Sequence, residues 1–187
     1  MTPLLHIIIQ KSPLLTHLNN IQHRSVHDIQ QNFEKKFNSP ILHYKSIAII
    51  AVATCINEKN SNLYQILLHN LLKNLVSENE ISEIHAIVSI MNMNNAMYSF
   101  KNKLNNPVYS NYPIGLNMSS FSKTILDKSN FEFIALTISN LNQCKPCTVH
   151  HEQKCIDLQI SSEQVYKAIQ LSSFVKSLCV FDYLDHP

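Results

Sequence analysis

Apolar positions recur three and four residues apart along almost the whole chain, the spacing that places them on one face of an α-helix. Leu14, Leu18 and Ile21, followed by Val26, Ile29 and Phe33, mark one or two opening helices. Residues 41–56 are apolar nearly throughout, which predicts a buried helix, and residues 63–76 predict another. Ser77 with Glu80 is a capping box ahead of a helix over residues 81–98, and Ser161 with Gln164 caps a final helix reaching about Leu184. Pro107, Pro113 and Gly115 sit in the polar stretch 102–117, the expected main connecting loop. A short helix over 119–126 and two more over 131–141 and 144–158 complete the order. No convincing alternating strand is present, and a single glycine leaves few tight hairpin turns. The expected fold class is all-α.

The 187 residues suit one domain with a real core. A faint echo at a spacing of 50 residues pairs Ser89 and Asn92 with Ser139 and Asn142, and sets Asn94 and Met97 where Cys144 and Cys147 stand. It suggests two related halves, about 1–101 without chemistry and about 118–187 with it. The net charge of +2 with mixed signs gives no basic stripe for nucleic acid. The longest apolar stretch, 47–56, is about half of the ~20 residues a membrane span needs. The apolar run 4–9 follows Pro3 with no Lys or Arg ahead of it and no small-residue cleavage site, unlike a signal peptide. A cytoplasmic protein is expected. Five cysteines occur, Cys55, Cys144, Cys147, Cys155 and Cys179. Structural disulfides are not expected there, so a close pair points to redox or metal chemistry.

Cys144-x-x-Cys147 on a helix sets two sulfurs at i, i+3 on one face, near enough to bridge. Pro146 belongs in a first helical turn, which puts Cys144 at or just before the helix start, where free N–H groups stabilise a thiolate. His151 follows Cys147 by one turn on the same face and can take or relay its proton. Glu132 interrupts the apolar run 131–138 and is placed to hold the other ring nitrogen if the two helices pack antiparallel. His150 lies about 100° around the helix and reads as exposed or packed rather than catalytic. Cys155, Cys55 and Cys179 read as core thiols.

Zinc is the competing use of Cys144, Cys147, His151 and Cys155. On a continuous helix Cys147 and Cys155 are ~12 Å apart in rise, too far for ligands at ~2.0–2.3 Å, and no glycine stands in the segment to break it. A thioredoxin-like reading of Cys-Lys-Pro-Cys needs a preceding strand, and 131–141 reads as helix.

Glu132-x11-Cys144-x2-Cys147-x3-His151 resembles the alkylhydroperoxidase D family of the carboxymuconolactone decarboxylase-like superfamily. Ser129-Asn-Phe-Glu132, the His151-Glu152 pair, Met91-x-Met-Asn-Asn95 with Tyr98, and Gly115-Leu-Asn-Met118 resemble its flanking segments. The order holds from about 75 to 184; Gln143 stands where the family usually has Gly, and Pro146 where some members have His. The resemblance implies a helical subunit of two related halves, forming a homotrimer with no bound cofactor. It implies reduction of alkyl hydroperoxides and of an AhpC-type peroxiredoxin. Electrons would come from the dihydrolipoyl group on an acyltransferase of a 2-oxoacid dehydrogenase complex. Spacing and resemblance together give Glu132 and His151 as a proton relay beside the Cys144–Cys147 pair. The helix dipole favours Cys144 as the lower-pKa thiol. The place of His151 favours Cys147 as the attacking thiol, with Cys144 as proton donor and resolving thiol, and the His is followed here. A carboxymuconolactone decarboxylase-like lyase would not need two cysteines. A non-catalytic disulfide carrier or sensor is the alternative of a different class.

Overall fold

In the structure, a computed structural model, residues 2–104, 106–118, 121 and 123–183 are described. Among them are ten α-helices and no strand: α1 (Pro3–Lys11), α2 (Pro13–Asn20), α3 (Arg24–Phe37), α4 (Tyr44–Asn57), α5 (Ser61–Leu67), α6 (Glu78–Leu104), α7 (Pro107–Ser110), α8 (Lys128–Leu141), α9 (Lys145–Asp157) and α10 (Ser162–Tyr183). The all-α expectation holds. No helix among the described residues is long and apolar enough to cross a membrane.

Two helices make the centre. In α4 every residue from Ser46 to Cys55 is buried, and in α8 so are Asn130, Phe131 and all of Phe133 to Ser139. Such helices are apolar on all sides because neighbours cover all sides. α4 and α8 pack against each other; α6 and α9 lie on α8, and α10 and α5 lie on α4.

Several expected boundaries move. The run 4–9 is a helix, α1, with Pro3 at its first position, where a missing N–H costs nothing. The helix expected over 63–76 ends at Leu67 and passes into a π-helical turn, Leu68–Leu72. There the Asn70 side-chain amide donates to the Ile66 carbonyl at 2.7 Å, in competition with the regular main-chain bond. α6 runs on to Leu104, so the connecting loop is shorter than expected and carries α7, begun by Asn106 capping Val108 N–H at 3.0 Å. Of the short helix expected over 119–126, Ser119, Ser120 and Ser122 lie outside the described residues, and Thr124 to Leu126 are not helical. Leu184 also lies outside them.

The 50-residue echo is not a structural register. Ser89 to Met97 lie inside uninterrupted α6, whereas Ser139 to Cys147 cross the end of α8, a turn and the start of α9. A different offset recurs. His43 and Asp127 are the N-caps of α4 and α8, each fourteen residues long. Both helices end in a left-handed residue, Lys59 and Gln143, each at φ 57°. Asn60 N–H and Cys144 N–H then return to the Cys55 and Ser139 carbonyls, each at 3.0 Å, closing Schellman turns. Asn60 and Cys144 become the N-caps of α5 and α9. Ser77 with Glu80 and Ser161 with Gln164 form the reciprocal capping boxes that open α6 and α10. Each of these pairs stands 84 residues apart.

Candidate active site

The second of these two segments carries the four residues singled out from the sequence. Gln143 holds the left-handed position after α8, and the chain turns directly into α9 with Cys144 at its N-cap and Pro146 in its first turn. Cys144 and Cys147 are joined as a disulfide with their Cα atoms 5.3 Å apart, within the ordinary range for such bridges. The Cys144 side chain makes no capping hydrogen bond. Free N–H groups and the dipole at a helix N-terminus favour a thiolate there.

Glu132 comes from the second turn of α8 and meets His151 on α9. His151 Nδ1 and Glu132 Oε2 are 2.8 Å apart, and both side chains are about 12% exposed. A nearly buried carboxylate needs such a partner. With the carboxylate accepting, Nδ1 carries the hydrogen, and Nε2 of the neutral ring is left as an acceptor. The structure thus brings together all four residues singled out from the sequence: Glu132 against His151, and Cys144 against Cys147.

A cleft of about 460 Å³ opens beside them. Pro146, Cys147, His150 and His151 of α9 form one wall; Met91, Asn94 and Tyr98 of α6 and Met118 and Phe121 of the connecting segment form the rest. The two sulfurs differ in access: Cys147 is 7% exposed and lines the cleft, whereas Cys144 is fully buried and does not. His150 is exposed and packed against its neighbour, as helical geometry suggests. It lines the cleft, its ring edge-on to His151 at 5.1 Å. Burial lowers its pKa, and the His151 and Lys154 charges lower it further.

Cys155 is buried on the same uninterrupted helix, and its thiol is pushed up to about 12 by burial and by the charges of Glu132 and Glu152. It is a core thiol, as are buried Cys55 and Cys179. Among the described residues, no three His, Cys, Asp or Glu side chains are grouped to hold a metal ion.

Sequence reasoning did not foresee that Asn94, Tyr98, Met118, Phe121 and His150 share one cleft with Cys147. The signal was partly there: the Met91–Asn95 and Gly115–Met118 motifs turn out to supply cleft walls far from Cys147 in sequence.

No family model matches the chain. It is 33% identical over 128 residues to the alkyl hydroperoxide reductase AhpD of Solibacter usitatus, covering 68% of this chain and 72% of that protein. It is 30% identical over 131 residues to the protein of the same name from Anaeromyxobacter dehalogenans, 70% of each chain. To the Methylobacterium protein of that name it is 28% identical over 153 residues, 82% of this chain and 86% of that one.

Proposed function

The chain belongs to the alkyl hydroperoxide reductase AhpD family, and on that premise we propose that it is a thiol peroxidase that cycles between the Cys144–Cys147 dithiol and disulfide. The observation that carries this reading is the unequal access of the two sulfurs: Cys147 opens onto the cleft beside His151, and Cys144 is sealed behind it.

In the oxidative half, His151, held by Glu132, takes the Cys147 proton. The thiolate attacks the terminal oxygen of R–O–O–H; an S–O bond forms, the O–O bond breaks, and Cys147 becomes a sulfenic acid. Cys144 protonates the departing alkoxide to ROH. Its thiolate, stabilised by the α9 N-terminus, then attacks the Cys147 sulfur and closes the disulfide. The hydroxide released takes the proton held by His151 and leaves as water. In the reductive half, an external dithiol attacks the accessible Cys147 sulfur, and Cys144 leaves as the stabilised thiolate. A dihydrolipoyl group on an acyltransferase of a 2-oxoacid dehydrogenase complex is the proposed dithiol, and an AhpC-type peroxiredoxin a second acceptor of its electrons. The proposed setting is a cytoplasmic homotrimer.

The test is cumene hydroperoxide reduction coupled through lipoamide and lipoamide dehydrogenase to NADH oxidation, beside Cys147→Ser. NADH loss that requires Cys147 supports the reading. A disulfide that forms and reopens with no NADH consumed overturns it in favour of a disulfide carrier.

A further inference from the structure

Three asparagines stand close together on α6, and two are committed to the protein. Asn92 donates to the Asn57 side chain and the Val88 carbonyl, each at 2.9 Å, and accepts from Asn142 at 3.2 Å. Asn95 accepts from the Ser139 hydroxyl at 3.2 Å. Asn94 differs. It is 8% exposed, its Oδ1 is shut off from solvent without a partner, and no hydrogen bond of its amide occurs among the described residues. Met91, Asn94 and Tyr98 fall on one face of α6, and that face is the cleft wall. A buried amide oxygen with nothing to bond is costly, and Asn94 lines a space whose other walls are Met91, Tyr98, Met118, Phe121 and α9, which leaves its Nδ2 as the group free to donate there.

We propose that Asn94 is the substrate-orienting residue of this site, its amide donating to the peroxide oxygen that leaves. This rests on the peroxidase reading above. The Cys147 thiolate forms its bond to the terminal oxygen of R–O–O–H. As the O–O bond breaks, its electron pair collects on the oxygen attached to R. An N–H positioned there stabilises that charge, while the proton that completes ROH comes from Cys144. The apolar remainder of the cleft receives R. The chemical class is therefore a hydroperoxide with an apolar organic group, held by one polar anchor next to the sulfur. The dithiol half-reaction breaks no O–O bond and has no use for that anchor.

The test uses the reduced full-length protein, Asn94→Leu and the isosteric Asn94→Asp, in single turnover. The first readout is disulfide formation with cumene hydroperoxide. The second is iodoacetamide alkylation of Cys147, read by peptide mass, which needs the same thiolate and position but no donor to an oxyanion. Both variants are expected to form the disulfide about 10²-fold more slowly, the scale of one lost oxyanion donor. Alkylation in Asn94→Leu should stay within about 2-fold of the parent. Disulfide formation that is unchanged in Asn94→Leu overturns the proposal. So does a parallel fall in both reactions, which would make Asn94 a structural residue. Failure of the parent itself to form the disulfide would instead overturn the peroxidase reading, and is visible before any variant is made.

Discussion

The stretch from His43 to Asn95 and the stretch from Asp127 to Cys179 are built alike, helix, Schellman turn, second helix, capping box and long helix, at a constant offset of 84 residues. Their third helices are exchanged: α6 packs on α8 as well as α4, and α10 on α4 as well as α8. Only the second carries the residues of the proposed cycle. Asn60, Leu63, Leu67 and Ala48 occupy the places of Cys144, Cys147, His151 and Glu132. Asn60 does what an N-cap ordinarily does, its Oδ1 accepting from Leu63 N–H at 2.8 Å. Cys144 gives up that bond for one to the Cys147 sulfur, leaving the N–H groups of α9 to act on sulfur. The shared scaffold supplies helix direction and a tight turn; in the proposed cycle, reactivity comes from four side chains and the cleft beside them.

The sharpest break of this comparison is at the thiols. Cys147→Ser should remove all peroxide turnover above background in the coupled assay, and Cys144→Ser should do the same. The converse tests the scaffold. Asn60→Cys with Leu63→Cys, in a chain with Cys144 and Cys147 replaced by Ser, should form a disulfide on thiol titration, because the backbone there repeats that of Cys144 and Cys147. It should consume no peroxide, because Leu67 and Ala48 supply no base. Turnover by that chain would show that the turn alone suffices.

Next comes the relay. His151→Gln and Glu132→Gln should each slow disulfide formation by ~10²–10⁴-fold, the usual worth of a positioned acid–base group. They leave both cysteines in place, so full oxidation by an oxidant that needs no proton relay, such as diamide, should still occur. A rate within a few-fold of the parent for His151→Gln would sink the proposed relay.

The capping boxes were legible because Ser77 and Glu80, or Ser161 and Gln164, are three residues apart and act on each other. The CxxC–His face was legible for the same reason, since helical spacing fixes it. Glu132 stood out as a charge inside an apolar run, and the structure sets it on His151 from another helix. The 84-residue register was not legible. Its matching positions share backbone jobs rather than residue types: His43 and Asp127 both cap, and Lys59 and Gln143 both turn left-handed. The 50-residue echo matched letters and missed the jobs. The cleft could not be read either, since α6, the connecting segment and α9 meet only through long-range packing.

A smaller effect separates Cys155 from the working thiols. Its place is that of Leu71 in the other segment, and both are buried core positions. Its folded thiol is raised to about 12 from an ordinary 9. The unfolded chain therefore releases this proton first as pH rises. The stability gained by keeping the thiol neutral is complete below about pH 9 and is lost between there and the folded value, by at most ~1.4 kcal/mol per pH unit. Relative to Cys155→Ala, the parent should lose stability on going from pH 9 to pH 10.5 in urea titrations. Peroxide turnover at pH 7 should be the same in both. Equal pH slopes would mean that Cys155 titrates normally.

The smallest effect lies at the two left-handed turns. An L side chain at φ 57° is strained by roughly 1–2 kcal/mol relative to the right-handed region, and glycine is not. Glycine also frees the unfolded chain, which returns about 0.5–1 kcal/mol of that gain. Lys59→Gly and Gln143→Gly should therefore each stabilise the protein by about 0.5–1 kcal/mol, and the two should add, because the turns lie in separate segments. The comparison becomes informative in turnover. Lys59 stands by a helix with no chemistry, so its replacement should leave activity alone. Gln143 is exposed and bonds through its backbone to Asn140 and, by way of Cys144, to Ser139. Its side chain has no part in the proposed cycle, so Gln143→Gly should match Lys59→Gly in activity as well as in stability. A fall in turnover at Gln143 alone would show that the stiffness of this turn helps hold Cys144 behind Cys147, a demand the first segment never meets.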